Sequence, residues 1–324
     1  MCGIFEESSG GLMLRVLSNV VLQREETILK QLKRDALQKE GKRSKALPYL
    51  LLIPTFFFLI VFTFYPFLRS IYLSFFVTTP SGQPGAFVGL KNYIRILTSD
   101  SFKNTMVVTF KYAGIVCVGT FSVAMFFAFL CVEKVKGSRI YQTMFAIPIA
   151  LASAPVAAIC LYLLSINGLL NNLIGTEIAW LSTKETALYA LAVCACWANL
   201  GTSFIFLLVG FRNVPDDLVE SATLDGASYW KKFVNIYVPI ASPQIFFVVF
   251  LNILNSYKSF ALIKILVGTG PAESTNVLVH ALYSNAFARG RFETACVYAM
   301  VLCLVIFLTT RIQFILEKKV VHYQ

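Results

Sequence analysis

Apolar positions along the chain gather into six long blocks, running roughly from Leu47 to Phe76, Met106 to Val132, Ile140 to Leu164, Ala187 to Phe211, Ile240 to Val267 and Ala295 to Leu316. Each reaches the ~20 residues that a helix needs to cross ~30 Å of hydrocarbon. Backbone amides find no water in a bilayer core, so such blocks become helices or barrel strands, and unbroken apolarity at this length excludes alternating strands. The pattern therefore predicts an all-α polytopic membrane protein with six transmembrane helices. Pro54, Pro66, Pro148, Pro155 and Pro243 fall inside the blocks and predict kinks.

The polar connections set the orientation. Residues 1–46 carry Arg15, Arg24, Lys30, Lys33, Arg34, Lys39, Lys42, Arg43 and Lys45, and the second, fourth and sixth connections add Lys134, Lys136, Arg139, Arg212, Lys231, Lys232, Arg311, Lys318 and Lys319. The opposite loops hold only Lys91, Arg95, Lys103, Lys184, Arg289 and Arg291. Lys and Arg are retained on the cytoplasmic side of membrane helices, so both termini are predicted in the cytoplasm. Composition agrees with a lipid environment. Of 324 residues, 57% are hydrophobic and 14% charged, and the mean hydropathy is +0.71. The net charge of +11 then reports orientation toward anionic lipid, and no nucleic acid is expected as a partner.

Two regions follow. Residues 1–46 form a basic cytoplasmic extension, and residues 47–324 form the six-helix domain. In the extension Leu14, Leu17, Val21, Ile28 and Leu32 recur at helical spacing among charges, which fits either a membrane-surface helix or a basic tail. Met1 to Gly11 lack the features of a cleavable signal, so the first span is expected to insert as a retained anchor, and both Met1 and Met13 fit as the start.

The interior connection of residues 212–239 has a helix-turn-helix pattern. Pro215 suits a first helical turn, and Asp216, Asp217 and Glu220 complement the positive end of the dipole. Gly226 after Asp225 supplies a left-handed residue that ends the helix. Ala227 to Tyr237 then offers a second helix, with Trp230, Phe233 and Val234 on its apolar side and Pro239 closing it. The prediction is an elbow on the cytoplasmic face.

Glu220, Ser221, Ala222, Gly226, Ile236, Val238 and Pro239 match the spacing of the EAA loop of the membrane subunits of binding-protein-dependent ABC importers, and the chain resembles that family. Ser221 stands where alanine is usual and Val238 where leucine is usual. Phe87 to Tyr93, Asn167 to Asn172 with Trp180 and Leu181, and Gly268 to Pro271 with Thr275, Leu278, Tyr283, Ala286 and Phe287 resemble the exterior loops of the carbohydrate-uptake branch. Gly137 to Thr143 and the terminal Tyr323 and Gln324 resemble the first membrane subunit of glycerol-3-phosphate importers.

The resemblance implies a pore-forming permease subunit in a bacterial cytoplasmic (inner) membrane that passes a sugar or glycerol-3-phosphate-like solute inward. It implies three kinds of partner besides lipid: a second, homologous membrane subunit in a heterodimer, an extracytoplasmic solute-binding protein, and a cytoplasmic ATPase dimer whose groove takes the elbow. The coupling residues it implies are Pro215, Glu220, Ser221, Ala222, Asp225, Gly226, Ile236 and Pro239. No GxxxxGK[ST] phosphate loop occurs, so ATP and Mg are expected on the partner ATPase, with no cofactor and no catalytic residue on this chain.

A solute path needs polar groups inside the bundle, because such groups are costly against lipid. Asn252, Asn255, Ser256 and Ser259 follow an i, i+3, i+4, i+7 stripe, flanked by Tyr257 and Lys258. Asn199, Thr202 and Ser203 of the fourth span face them in this reading, and Trp197 offers an aromatic surface to a sugar ring. Polar glue between helices is the other reading of the same residues. Seven of the eight cysteines fall in apolar blocks and read as small buried hydrophobes, Cys194 and Cys196 are one residue too close for a CxxC site, and His280 and His322 stand alone, so no metal is expected. An ion-coupled secondary transporter is the alternative function, but it is expected to carry acids in mid-span, and none of the six blocks does. Membrane-enzyme signatures such as GxSxG and HExxH are absent from the spans.

Overall fold

The computed structural model describes residues 47–132 and 138–321, together with Lys30. The surface-helix or basic-tail alternative for residues 1–46 therefore lies outside the described residues, apart from Lys30. The chain divides into two compact units, Met1–Leu68 and Arg69–Gln324.

Among the described residues five helices are long and apolar enough to cross a membrane: Pro48–Ser74 (α1), Asp100–Leu130, Ser153–Ile174, Ala187–Arg212 and Phe292–Lys319. The pair Tyr229–Ile240 and Ser242–Lys258, bent by 75°, makes a sixth if it is counted as one span. In α1 the helix widens into a π turn at Ile60–Phe64, where the Tyr65 amide donates to the Ile60 carbonyl. That extra residue sits immediately before Pro66, whose ring would otherwise press on the carbonyl four residues back.

After α1 comes a hairpin of β1 (Phe76–Thr78) and β2 (Pro84–Phe87), antiparallel, with Phe76 opposite Phe87 and Thr78 opposite Pro84. The all-α expectation missed it, because strands of three and four residues leave no readable alternation. Helix α2 (Lys91–Leu97) follows, locked to the hairpin by Asn92, whose amide donates to the Ser74 and Phe76 carbonyls at 3.0 and 2.9 Å. Next come α3 (Asp100–Leu130), capped by the Ser99 hydroxyl, and α4 (Ser138–Ala146). After them run α5 (Ser153–Leu164), α6 (Leu169–Ile174), α7 (Ala187–Arg212), α8 (Asp216–Leu224), α9 (Tyr229–Ile240), α10 (Ser242–Lys258), α11 (Ala261–Leu266), α12 (Leu278–Tyr283) and α13 (Phe292–Val320).

Two blocks expected as single, kinked helices are interrupted outright. The third stops at Ala146, passes through a 3-10 turn at Ile147–Ala150 that contains Pro148, and restarts at Ser153. Tertiary packing holds the break in place: a Cβ at Gly201 of α7 would stand 2.8 Å from Ile149 and 3.0 Å from the Phe145 carbonyl, so the turn fits only against a residue without a side chain. The fifth block bends at Ala241 and then ends at Lys258, since Ser259 has φ −68° and ψ 87°. Ser259 thus leaves the helical stripe in which it was expected. Its hydroxyl accepts from Tyr112 at 3.0 Å, and the chain turns there so that Leu262, Ile263 and Leu266 of α11 join the core formed by Val116, Val156, Leu191 and Ala195.

The core runs between α3 and α7 in two parts. Around Tyr112, Val116, Leu191 and Ile263 it fills one end, and around Ala124, Phe129, Phe204, Leu207, Phe211 and Tyr237 it fills the other. A third cluster joins α3 to α12 and α13 through Phe102, Tyr257, Leu278 and Val297.

Candidate functional site

The segment between α7 and α10 folds as two short helices. Pro215, with φ −59° and ψ 131°, forms the N-cap of α8, and Asp216 and Asp217 stand in its first turn. The helix ends at Gly226, whose φ is +73°. Its amide donates to the Thr223 carbonyl at 3.0 Å and the Ala227 amide donates to the Ala222 carbonyl at 2.9 Å, the paired bonds that satisfy a helix end through a left-handed residue. The Ser228 hydroxyl then caps α9 by accepting from the Lys231 amide. The second helix was expected to close at Pro239, but it continues to Ile240. A π turn at Phe233–Tyr237, in which the Val238 amide reaches back to the Phe233 carbonyl, makes room for the proline ring, as the turn before Pro66 does.

One face of this elbow is anchored. Phe129, at the end of α3, lies 4.4 Å from the Tyr229 ring, 4.2 Å from Phe233, 5.5 Å from Tyr237 and 6.1 Å from Phe211. Its carbonyl also accepts the Tyr229 hydroxyl at 3.4 Å, and Arg212 donates to the Cys131 carbonyl at 3.3 Å. Val219 of α8 packs against the same cluster, as does Ile236 of α9, and Ala222 is half-buried. The opposite face is open: Ser221, Glu220, Asp225 and Leu218 are exposed, and Leu224 is 90% exposed. Phe129, which anchors the elbow, is a residue that the sequence reading did not single out. It is one phenylalanine in an apolar run, and nothing in that run distinguishes it.

The polar stripe divides in two. Asn252 is buried, and its amide donates to the Ser203 hydroxyl and the Val248 carbonyl, both at 3.0 Å. Ser203 donates its own proton to the Asn199 carbonyl, and Ser256, also buried, donates to the Asn252 carbonyl. The bond from Asn252 to Ser203 ties α10 to α7, while the Ser203 and Ser256 hydroxyls donate within their own helices. Asn255 is exposed, and its amide donates to Asn199 Oδ1 at 3.4 Å. Lys258 is exposed as well. Tyr257 is buried against Phe110, and Thr202 and Trp197 are half-buried, Trp197 against the core between α3 and α7. A cavity of about 600 Å³ lies elsewhere, between Leu161, Leu164, Leu181, Leu266 and Pro271.

At the hairpin end, the α6 region is organised by Asn171. Its amide donates to the Ser165, Ile166 and Ile178 carbonyls, and its Oδ1 accepts from Trp180 at 2.8 Å and Thr176 at 3.2 Å. His280 of α12 is buried there with Nδ1 3.2 Å from Asn276 Oδ1, so Nδ1 carries the proton and donates. Burial holds its pKa below the ordinary value, and neighbouring Lys264 lowers it further. A histidine whose folded pKa is depressed takes up its proton more readily when unfolded, so its contribution to stability is complete above about pH 6.5 and declines as the pH falls below it. Thermal unfolding in detergent is expected to show a lower midpoint at about pH 5.5 than at pH 7.5, and His280→Gln is expected to shrink that difference.

Residues 136–322 match the family model described as the binding-protein-dependent transport system inner membrane component. The sn-glycerol-3-phosphate transport system permease protein UgpA of Agrobacterium fabrum is 28% identical over 285 residues, covering 86% of this chain and 97% of that protein. The UgpA of Yersinia enterocolitica is 30% identical over 287 residues, covering 86% and 96%. Among solved structures, a bacterial ABC transporter involved in the import of the acidic polysaccharide alginate superposes with a TM-score of 0.76 at 20% identity, over 89% of this chain and 100% of that one. The bacterial alginate ABC transporter in complex with an alginate pentasaccharide-bound periplasmic protein superposes with the same TM-score of 0.76 at 21% identity, over 87% and 97%. At that identity the likeness is one of fold.

Proposed function

Because the chain belongs to the family of binding-protein-dependent transport system inner membrane components, we propose that it is a pore-forming permease subunit of an ABC importer for a sugar or glycerol-3-phosphate-like solute. The observation that carries this reading is the elbow, inside the region that matches the family: α9 is anchored to Phe129, and α8 packs through Val219 on one face and is open on the other through Glu220 and Leu224. The relatives bear the names of permease components, and one structural neighbour contains a periplasmic binding protein. The chain accordingly works with a solute-binding protein outside the membrane, a second membrane subunit in a heterodimer, and an ATPase dimer in the cytoplasm that binds ATP and Mg. Six spans with both termini inside place the elbow on the ATPase side, in keeping with the excess of basic residues in the interior connections.

The mechanism follows from rigidity. When the ATPase subunits close, α8 moves with the groove that holds it. Phe129 and Phe211 end α3 and α7, so the aromatic cluster passes the displacement to two helices whose middle turns lie beside the Asn199, Asn255 and Asn252 layer. That layer is the candidate solute path, in which Asn255 and Lys258 meet the solute while Asn252 and Ser203 hold the helices in register.

The test is uptake by proteoliposomes that contain the assembled transporter and its binding protein. Accumulation of labelled sn-glycerol 3-phosphate or of a sugar is expected to require ATP on the ATPase side and to persist when proton and sodium gradients are collapsed. Uptake that follows an ion gradient without ATP would identify the secondary-transporter alternative instead.

A further inference from the structure

Lys111 of α3 and Lys258 of α10 lie in spanning helices, and both side chains are exposed. Their immediate neighbours touch. Tyr112 donates its hydroxyl to Ser259 Oγ at 3.0 Å, and Phe110 packs edge-on against Tyr257 with ring centroids 6.3 Å apart. These two contacts set the register of α3 against α10, so the two lysines stem from the same level of the bundle. By the rise of a helix, Lys111 lies about 16 Å along α3 from Asp100.

Among the described residues no counter-charge is paired with them: Arg95 pairs with Glu293 and Lys103 with Asp100, and neither pair involves these lysines. The described acids of the second unit lie elsewhere. Asp100, Glu273 and Glu293 lie at the hairpin end, Asp216, Asp217, Glu220, Asp225 and Glu317 at the elbow end, and Glu177 and Glu185 in the connection before α7. Two uncompensated lysines stemming from one level of a spanning bundle are expensive against lipid, and such residues face water, a partner charge or a ligand.

The groups beside Lys258 decide between these. Asn255 precedes it by three residues, which puts the two on neighbouring positions of one helix face, and Asn255 is exposed and tied to Asn199 of α7 at 3.4 Å. An ammonium group that only donates, next to an amide that can donate, is a recognition set for an oxyanion. A neutral polyol gains hydrogen bonds from such a set but no relief of its charge.

Building on the importer reading, we infer that Lys258, with Asn255 beside it and Lys111 at the same level, makes the path selective for an anionic solute that carries a phosphate or carboxylate group. Lys258 is a specificity-determining residue that meets the solute oxyanion directly, and Lys111 contributes charge at that depth.

The experiment uses the whole transporter in membranes, with the native cysteines replaced and Asn255→Cys introduced. Rates of labelling are compared for two methanethiosulfonate reagents of similar size, one with a sulfonate group and one with a trimethylammonium group. Both reagents are expected to react, and Lys258→Gln is expected to lower the sulfonate-to-trimethylammonium rate ratio about tenfold, while Lys258→Arg leaves the ratio unchanged. Added sn-glycerol 3-phosphate or glucuronate is expected to slow labelling, which separates the phosphate and carboxylate cases, and glycerol is not. An unreactive Asn255→Cys, or a ratio that ignores Lys258→Gln, overturns the inference. If the transporter with native Asn255 and Lys258 still takes up solute on ATP, the importer reading survives that failure. Loss of the second membrane subunit from purified Lys258→Gln complexes also overturns it, because the lysine then pairs with that subunit.

Discussion

Gly226→Val is expected to abolish solute uptake while the protein still reaches the membrane in normal amounts. Gly226 has φ +73°, and a Cβ there would meet nothing within 4 Å, so the substitution acts through the backbone and not through a clash. A β-branched residue in the left-handed region costs about 1 to 3 kcal/mol. The strain is relieved by giving up the bonds from the Gly226 and Ala227 amides, and with them the fixed angle between α8 and α9. The apolar lengths of the spans are untouched, so insertion is unaffected. Glu220→Lys is expected to give the same phenotype by another route. Glu220 is exposed and lies beyond the first turn of α8, so within this chain its charge has little to act upon, and reversing it matters only to a docked partner. The readouts are uptake, the amount of ATPase that co-purifies, and stimulation of ATP hydrolysis by solute-loaded binding protein. Normal transport in both variants removes the elbow as the coupling element.

Phe129→Ala is expected to uncouple ATP hydrolysis from uptake more severely than any single change in the polar layer. The side chain is 5% exposed and meets four other rings, so its removal leaves a cavity where α3, α7 and α9 converge. Deletion of a phenyl group from a packed site costs about 3 to 5 kcal/mol. Here the loss falls on the attachment of the elbow, because Tyr229 and Phe233 belong to α9. Trypsin is expected to cut faster at Lys231 and Lys232, and uptake to fall at least tenfold while ATP hydrolysis continues. Phe129→Leu, which retains most of the apolar volume, is expected to recover part of both. Equal proteolysis and uptake in the alanine variant and the native chain would show that the cluster merely fills space.

The spans were readable because the bilayer imposes a length, and a soluble core of a chain this size has no use for six uninterrupted apolar blocks that long. The breaks within them were not. Pro148 signals a kink, yet the kink becomes a full 3-10 interruption only because Gly201, more than fifty positions away, lets the turn approach α7. Ser259 continued an unbroken 3.6-residue pattern, and what takes it out of the helix is packing by α11 together with the hydroxyl of Tyr112. The hairpin of Phe76 to Phe87 was lost because its strands are too short to show a period. The elbow was legible down to its turn residue, since Asp225 followed by glycine carries its own conformational reason. In the polar stripe the sequence marked the right side chains and could not divide them: periodicity groups Asn252 with Asn255, while only the neighbouring helix reveals that Ser203 takes the first and leaves the second exposed.

The central claim, that this chain is driven by an ATPase docked on its elbow, is tested most directly by cross-linking from position 220. A Glu220→Cys chain, with native cysteines replaced, is coupled to a short thiol-reactive photo-cross-linker in membranes that contain the assembled transporter. The account predicts an adduct between this chain and the ATPase subunit, whose yield changes when ATP is added. No ATPase adduct from an intact complex, under any nucleotide condition, would contradict it.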